Sequence, residues 1–354
     1  MTEVADQEAL DELRSGVRDF LAAKAGEEHV RQVVDDDAPY DEGVWSRMAE
    51  ELGLHALALP AEHGGDGYGF AELQVVLEEM GRALLPSAFL ATVVMAGSTL
   101  VASGDATAQA AYLPAIAAGK STATVAVAEG DGSWATADLC TQAVHTADGW
   151  SLTGTKPLVI DGATAELLIV AARTPGGPSL FAVHGDAAGV TRTPLRTLDP
   201  TRKIARVTFS ATPAQLIGSE GAAAPVVDHV LDLTATALAA EQVGGARVCL
   251  EMSAAYARER RQFGRAIGSF QAIKHKCADM LARVEVAQAA AVEAAGAAAG
   301  LPDSPPHGVA SAVAHVVCSE AYMFVAAENI QVHGGIGFTW EHPAHLYYRR
   351  AKAS

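Results

Sequence analysis

Residues 258–271 read RERRQFGRAIGSFQ, and residues 331–340 read QVHGGIGFTW. Each stretch follows a long segment whose apolar residues recur at helical spacing, so each is predicted to close a helix. In the first stretch, arginines at the helix end suit the helix dipole, and Gly264 lets the chain turn. In the second, Gly334 and Gly335 offer bare backbone that a ligand can approach closely. Both stretches also fit a purely structural interpretation, as a dipole-matched helix end and a glycine C-cap.

Outward from these stretches, the hydrophobic pattern divides the chain into three zones. Residues 221–354 carry long helical patterns with short connections, which predict a four-helix bundle. Residues 121–220 carry short apolar runs separated by turn residues, which predict a small antiparallel β domain. Residues 1–120 are helical again. The predicted fold class is therefore α+β, with a helical domain, a β domain and a second helical domain in chain order.

The composition excludes several classes of partner. A net charge of −17 argues against nucleic acid, although a few placed arginines can still hold a small anion. Four scattered cysteines without a C-x-x-C pattern predict a reducing, cytoplasmic environment. Residues 1–6 are acidic and do not resemble a signal peptide. Residues 84–104 contain proline, glycine and hydroxyl residues, which favour a buried helix over a membrane span.

Familiar catalytic and nucleotide-binding motifs are missing from the sequence. It has no G-x-G-x-x-G between a strand and a helix, no Walker A sequence and no G-x-S-x-G elbow. The spacings His342-x-x-His345 and His315-x-x-Cys318 each lack a second pair of ligands, so no metal site is predicted.

The two carboxyl-terminal stretches resemble the acyl-CoA dehydrogenase family. Arg260-x-Gln262-Phe263-Gly264 and Gln331-x-x-Gly334-Gly335-x-Gly337 match the two most specific C-terminal motifs of that family. Shorter matches extend the resemblance over nearly the whole chain: Trp45 to Gly53, Leu59-Pro60, Gly64-Gly65, Glu78-Glu79-Met80-Gly81-Arg82 and Gly154-Thr155-Lys156.

The resemblance implies a fold, a cofactor and a reaction. The implied fold is a helical domain, a β domain and a four-helix bundle, usually assembled as a tetramer. The implied cofactor is FAD, the implied substrate is an acyl-CoA thioester, and an electron acceptor flavoprotein is implied as a partner. In this chemistry a carboxylate removes the α-proton and the flavin takes the β-hydride. The flavin lies across a subunit interface, with its ring on one β domain and its adenosine end on the neighbouring bundle.

The resemblance also assigns cofactor-binding residues. Arg260 is expected to pair with the FAD pyrophosphate, which is a good target for a guanidinium group. Gln262 and Phe263 are expected to flank it. The adenosine side is expected to meet Gln331, Gly334 and Gly335.

The β zone departs from the family pattern at the flavin ring. The family's T-E-P loop reads Ala128-Glu129-Gly130 here, so a hydroxyl that usually bonds the ring edge is missing. After the G-T-K turn, the usual aromatic position is Leu158 and the usual threonine position is Ile160. Three ring contacts are lost together, while the adenosine-side residues are kept.

The catalytic base also departs from the pattern. Most members carry a glutamate soon after an R-D-A-K segment, which reads Arg349-Arg350-Ala351-Lys352 here, close to Ser354. In members with the base on the first long C-terminal helix, the matching position is Thr234, which cannot serve at neutral pH. Glu241 lies seven residues on, roughly 10 Å along the helix axis, and is interpreted as a structural carboxylate. No catalytic residue is assigned.

Three hypotheses follow from these observations. In the first, the chain is a complete homotetrameric acyl-CoA dehydrogenase whose base lies beyond Ser354. In the second, it is the non-catalytic subunit of an α2β2 acyl-CoA dehydrogenase, resembling those of actinobacterial steroid side-chain degradation. In the third, it is a structural homologue without flavin chemistry. The joint loss of ring contacts and base, with the interface motifs kept, favours the second hypothesis.

Overall fold

The computed structural model describes residues 7–147, 149–301 and 304–354, so the acidic start of the chain lies outside the described residues. Ten α-helices are found in these ranges, and a π-helical segment, Leu90–Gly97, precedes α5. The helices are α1 Gln7–Lys24, α2 Glu27–Asp35, α3 Glu42–Glu50, α4 Phe70–Ala83, α5 Ser98–Ala102, α6 Ala106–Ala117, α7 Ala223–Glu259, α8 Gln271–Ala298, α9 His307–His333 and α10 Ala344–Ala353.

Seven strands between α6 and α7 form one sheet. Its order is β1-β4-β2-β3-β7-β5, with β6 beside β7. Because β5 pairs with both β4 and β7, the sheet closes on itself like a barrel. The strands are β1 Ala123–Ala126, β2 Gln142–Thr146, β3 Gly149–Ile160, β4 Leu167–Thr174, β5 Gly177–His184, β6 Val190–Leu195 and β7 Ile204–Ile217; a separate hairpin contains β8 Arg261–Gln262 and β9 Arg265–Ala266.

The predicted order of helical, β and helical zones is confirmed. The antiparallel prediction needs one correction, because β4 runs parallel to β1 and to the start of β2. A tight hairpin forces neighbouring strands to be antiparallel, but β1 and β4 are separated by two other strands in the chain and carry no such constraint. The other pairings of the sheet are antiparallel.

The apolar segment predicted as a buried helix contains the π-helical turns. Residues Leu90–Gly97 are all buried. The hydroxyl of Thr92 donates to the Ala123 carbonyl and accepts from the Ala123 N–H, both at 3.0 Å, which fixes this segment to the first strand. A π-helical turn has no sequence signature of its own, so the sequence predicted only a helix here.

The chain divides into two compact units, each with its own core. The first contains the chain up to Gln32, Gly69–Leu85 and Ala235–Ser354. The second contains Val33–Tyr68 and Pro86–Thr234, including the sheet. The predicted domain boundaries, near residues 120 and 220, remain predictions.

Within the first unit, α4 and α7 cross with their backbones in contact. A Cβ at Gly81 would lie 2.1 Å from the Glu241 carbonyl oxygen, and one at Gly244 would lie 1.9 Å from the Glu78 carbonyl oxygen. Only glycine fits at either position. The crossing buries the carboxylates of Glu78 and Glu79, which pair with arginines of α1, α4 and α7.

Two helical segments are long and apolar enough to cross a membrane by length and composition alone. They are Ala223–Glu259 and His307–Phe338, and 44% of the apolar window of each is buried inside the chain. Core helices of soluble proteins pass the same test, and α9 packs against both α8 and α10.

Candidate functional site

The first motif forms an exposed hairpin directly after α7. Gln262 and Arg265 pair across a two-residue turn, in which Phe263 has φ +52° and Gly264 has φ +79°. Two consecutive positive φ angles are typical of a type I′ turn, which the glycine adopts freely and the phenylalanine does not. The Phe263 side chain is 91% exposed. The hairpin therefore holds a large aromatic side chain in solvent, beside exposed Arg260 and Gln262.

The base of this hairpin is fixed by local contacts. Arg260 accepts a hydrogen bond from the Ile267 N–H at 2.8 Å through its carbonyl, and its own N–H donates to the Tyr256 carbonyl. The guanidinium of Arg265 lies 4.1 Å from the centre of the Phe270 ring. The backbone of Arg260 is thus fixed while its guanidinium is open to an anion.

The second motif forms a turn at the end of α9. Gly334 has φ +64° and ψ −136°, a conformation that other residues avoid. A Cβ added to Gly334 or to Gly335 would meet no heavy atom within 4 Å. The backbone here is open on its outer side, and the Gln331 side chain is also exposed. Such a turn can accept the flat face or the edge of a ligand.

A ring contact brings the two motifs to the same end of their unit. Tyr256 lies one turn before Arg260, and its ring centre is 4.4 Å from that of His333, which precedes Gly334. The open cation of the first motif and the bare backbone of the second therefore face solvent at neighbouring helix ends. This combination suits a phosphate joined to a nucleoside.

The β-domain loop that matches the flavin-ring loop is closed in this chain. Glu129 and Ser133 exchange two backbone hydrogen bonds of 3.0 Å across the loop. Ala128 is fully buried and offers no hydroxyl. Leu158 packs over the loop, because its Cδ1 would be 3.4 Å from a Cβ on Gly132. The loop itself carries exposed Gly130 and Asp131, but the three positions that match the family's ring contacts, Ala128, Leu158 and Ile160, offer only apolar side chains.

A buried ion pair between Lys156 and Glu129 also holds this loop in place. The Nζ of Lys156 donates to a Glu129 carboxylate oxygen at 2.5 Å and to the Val127 carbonyl at 3.0 Å. The carboxylate also accepts from the N–H groups of Cys140 and Thr141. Burial alone would raise the pKa of Glu129, but the contacts with Lys156 and Thr141 outweigh it and lower that pKa. Sequence reasoning identified Lys156 only as part of a motif and did not predict its pairing with Glu129.

The two positions considered for a catalytic base are both occupied by structural contacts. The Thr234 hydroxyl donates to the Val230 carbonyl of its own helix at 2.7 Å. The Glu241 carboxylate is 9% exposed and lies 3.6 Å from a guanidinium nitrogen of Arg350, which is also buried. Arg350 stands at the aspartate position of the family's R-D-A-K segment, so this pairing was not visible in the sequence.

Two of the histidines noted for their spacing, His342 and His345, have ring partners. His342 packs against His333, and His345 packs against Trp340. Within the described ranges, no three His, Cys, Asp or Glu side chains group as a metal site. Sequence reasoning missed this ring cluster, because its members come from three different segments.

An FAD molecule would fit the two halves of the expected site unequally. The hairpin and the Gly334 turn offer an exposed cation and open backbone to a pyrophosphate and an adenosine. In the β domain, the positions that match the family's ring contacts carry the apolar side chains of Ala128, Leu158 and Ile160 in place of the expected hydroxyl and aromatic groups. The residues present fit the adenosine end of the cofactor and not the ring end.

Known families match most of the chain. The profile "Acyl-CoA dehydrogenase, N-terminal domain" matches residues 7–120, and "Acyl-CoA dehydrogenase, C-terminal domain" matches residues 224–354. Among curated proteins, the acyl-CoA dehydrogenase IpdE2 of Mycobacterium tuberculosis is 35% identical over 345 residues, covering 97% of this chain and 90% of IpdE2.

Two solved structures match this chain over nearly its full length. A steroid acyl-CoA dehydrogenase, Tcur3481-Tcur3483, is 34% identical with a TM-score of 0.86, covering 98% of this chain and 92% of that one. The ChsE4-ChsE5 complex from Mycobacterium tuberculosis is 30% identical with a TM-score of 0.89, again covering 98% and 92%. Both of these structures are complexes of two different chains.

Proposed function

Because this chain belongs to the acyl-CoA dehydrogenase family of oxidoreductases acting on CH–CH bonds, we propose that it is one subunit of a heteromeric acyl-CoA dehydrogenase. In this proposal it completes the FAD site of a catalytic partner in an α2β2 assembly. The hairpin after α7 and the turn after α9 hold the adenosine and pyrophosphate, and the partner's β domain holds the flavin ring. It is a soluble member of the family.

The observation that carries this proposal is the contrast between the two half-sites. One is exposed and cationic, and its bare backbone can receive a ligand that arrives on another chain. The other is closed by the Glu129–Ser133 hydrogen bonds and covered by Leu158. A chain with only the first half cannot build a whole site with copies of itself. Relatives whose structures hold two different chains support the same arrangement.

Within such an assembly the chain's own residues bind rather than react. When bound, FAD supplies the acceptor for the hydride in α,β-dehydrogenation of an acyl-CoA thioester. Arg260 would hold the pyrophosphate by charge-assisted hydrogen bonds, with Gln262 and Phe263 at its sides. Gln331, Gly334 and Gly335 would orient the adenosine. The base is supplied by the partner, since Thr234 and Glu241 have structural roles. An electron acceptor flavoprotein would then reoxidise the assembly, which we place in lipid or steroid catabolism.

The experiment is to express this chain alone and together with the acyl-CoA dehydrogenase encoded beside it. Native mass spectrometry and calibrated flavin absorbance give the number of chains and the FAD content. We expect a colourless chain alone and a heterotetramer with one FAD for every two chains when the partner is present.

Two outcomes contradict the proposal. A yellow homotetramer with one FAD for each chain that oxidises an acyl-CoA would make the chain a complete enzyme. A chain that neither forms a complex nor increases the flavin content of the partner would make it a structural homologue.

A further inference from the structure

A column of three contacting rings, tilted against one another, lies next to the Gly334–Gly335 turn. His333 closes α9 and is 6% exposed. Its ring centre lies 4.4 Å from that of Tyr256 on α7 and 4.2 Å from that of His342, which follows the turn. The column therefore joins the helix before the first motif to both ends of the second.

A second ring pair holds the segment that leads from the turn to α10. Trp340 meets His345 edge to face, with centres 4.6 Å apart. The guanidinium of Arg349 lies 4.6 Å from the Trp340 ring centre, and Arg31 donates to the Trp340 carbonyl at 2.6 Å. The turn and the segment that follows it are thus held by ring contacts and by the two arginines Arg31 and Arg349.

The hydrogen bonds fix where the imidazole protons lie. The Nδ1 of His333 is 2.8 Å from the Asn329 carbonyl, so that nitrogen carries a proton and donates. The Nδ1 of His342 accepts from the Ala344 N–H at 3.2 Å, so its proton is on Nε2 when the ring is neutral. Both rings make these bonds in their uncharged forms.

The surroundings oppose protonation of all three imidazoles. Burial lowers the pKa of His333, and the Asn329 carbonyl opposes this. Burial also lowers the pKa of His342, with further lowering by His333, Arg31 and His345, while Glu27 opposes it. For His345, burial lowers the pKa, helped by Arg31 and Arg349 and opposed by Glu27 and the Trp340 carbonyl. Tyr256, on α7, is a further titratable group in contact with the column.

We propose that the Tyr256–His333–His342 column is a positioning element that holds the Gly334–Gly335 backbone in shape for the adenosine end of FAD, and that acidification releases it. Charging the His333 and His342 imidazoles, whose centres are 4.2 Å apart, with Arg31 also close to His342, forces one of them toward solvent. The backbone that must move with it is the turn, because His333 and His342 lie on either side of it. This inference rests on the proposed function, since it concerns the regulation of the same site.

The test compares the assembled complex with a His342→Phe variant, whose ring can still pack on His333 but cannot be charged. FAD affinity is measured from pH 8 to pH 5 by equilibrium dialysis. We expect the dissociation constant of the native complex to rise about tenfold or more over this range, and that of His342→Phe to rise less than about threefold. His275→Gln, an exposed histidine on α8, is the control and is expected to follow the native curve.

A second measurement keeps this test separate from the proposed function. If the complex binds no FAD even at pH 8, the proposed function fails, and the column is then tested in the chain alone by NMR titration of its histidine C–H signals. There we expect His333 to titrate at a higher pH in His342→Phe than in the native chain. Identical pH profiles for native and His342→Phe proteins, in dialysis or in NMR, would overturn the inference.

Discussion

The hairpin and turn at the ends of α7 and α9 differ from the β-domain loop in what they leave open. Phe263 is 91% exposed at the tip of the hairpin, whereas Ala128 is fully buried under the loop. Space is free around Gly334 and Gly335, whereas Gly132 is covered by Leu158. The first region is open to solvent, whereas the second makes backbone hydrogen bonds across its loop and has Leu158 packed against Gly132.

In the proposed function, this difference means that one family fold keeps half of a binding site. The open half consists largely of backbone and of one guanidinium, held by hydrogen bonds at the ends of long helices. In the family, the contacts with the flavin ring depend on side-chain hydroxyl and aromatic groups. This chain has Ala128, Leu158 and Ile160 at those three positions. Phe263 keeps a positive φ in solvent, a strain of roughly 1–3 kcal/mol, and strain of this kind clusters at binding sites.

The largest effect on FAD affinity is expected for Arg260, whose guanidinium carries the charge of the open half-site. Arg260→Ala removes a charge-assisted contact with the pyrophosphate, typically worth ~1.5–3 kcal/mol. The FAD affinity of an assembly containing this chain should fall about 10- to 100-fold, measured by equilibrium dialysis of the purified complex. If affinity and flavin content are both unchanged, the assignment of the pyrophosphate to this chain is wrong.

A neighbouring arginine supplies the matched control. Arg261→Ala changes the same net charge, on the next residue of the same exposed hairpin. We expect its effect on FAD affinity to be less than about threefold. Equal losses in the two variants would indicate a general electrostatic effect of the hairpin instead of a contact made by Arg260.

The sequence predicted the local turns of the hairpin and of Gly334 better than their long-range surroundings. These turns were visible because a short motif carries both the residue type and the turn, while the cofactor roles of Arg260 and Gly334 stay predictions. The Glu241–Arg350 pair and the ring column were not found, because their partners are about 75 to 110 residues apart in the chain and only packing unites them. The parallel pairing of β1 with β4 was missed for the same reason. Short-range chemistry is visible in a sequence, while long-range partners depend on the fold.

Acidification is also expected to lower the stability of the second compact unit, which contains the sheet, through His55. A variant at His55 separates this effect from acid release of the Gly334–Gly335 turn. His55 is fully buried against Trp45, and neither of its ring nitrogens has a hydrogen-bond partner. Burial lowers its pKa to about 4. The unfolded chain, with a His pKa near 6.5, binds the proton more readily, so stability is full above that pH and falls as the pH drops toward 4.

Removing this imidazole should flatten the pH dependence of stability. At pH 5 the shift in the pKa of His55 costs about 2 kcal/mol relative to pH 8. We expect His55→Phe, which keeps a ring beside Trp45, to recover most of that difference in urea unfolding at pH 5. His184→Phe, at an exposed position at the end of β5, is the control and should leave the curve unchanged. A native-like pH dependence in His55→Phe would show that other groups govern the acid sensitivity.

The smallest effect on activity is expected at Glu241. Glu241→Gln keeps the shape of the side chain but removes the charge that faces buried Arg350. Because the carboxylate is paired and is not assigned as the base, the activity of the assembly, per folded complex, should fall less than about tenfold. Thermal stability should fall more clearly, since the buried Arg350 guanidinium loses the opposite charge of Glu241.

The double variant Glu241→Gln with Arg350→Gln distinguishes a Glu241 that balances the charge of Arg350 from a Glu241 that acts as the catalytic base. If the carboxylate only balances Arg350, removing both charges should restore much of the stability lost in the single variant, because the double variant no longer buries one charge of this pair without the other. Activity should stay within the same tenfold range. A loss of several orders of magnitude in either variant, with the fold intact, would place the base on this chain. The open half-site would then belong to a complete enzyme.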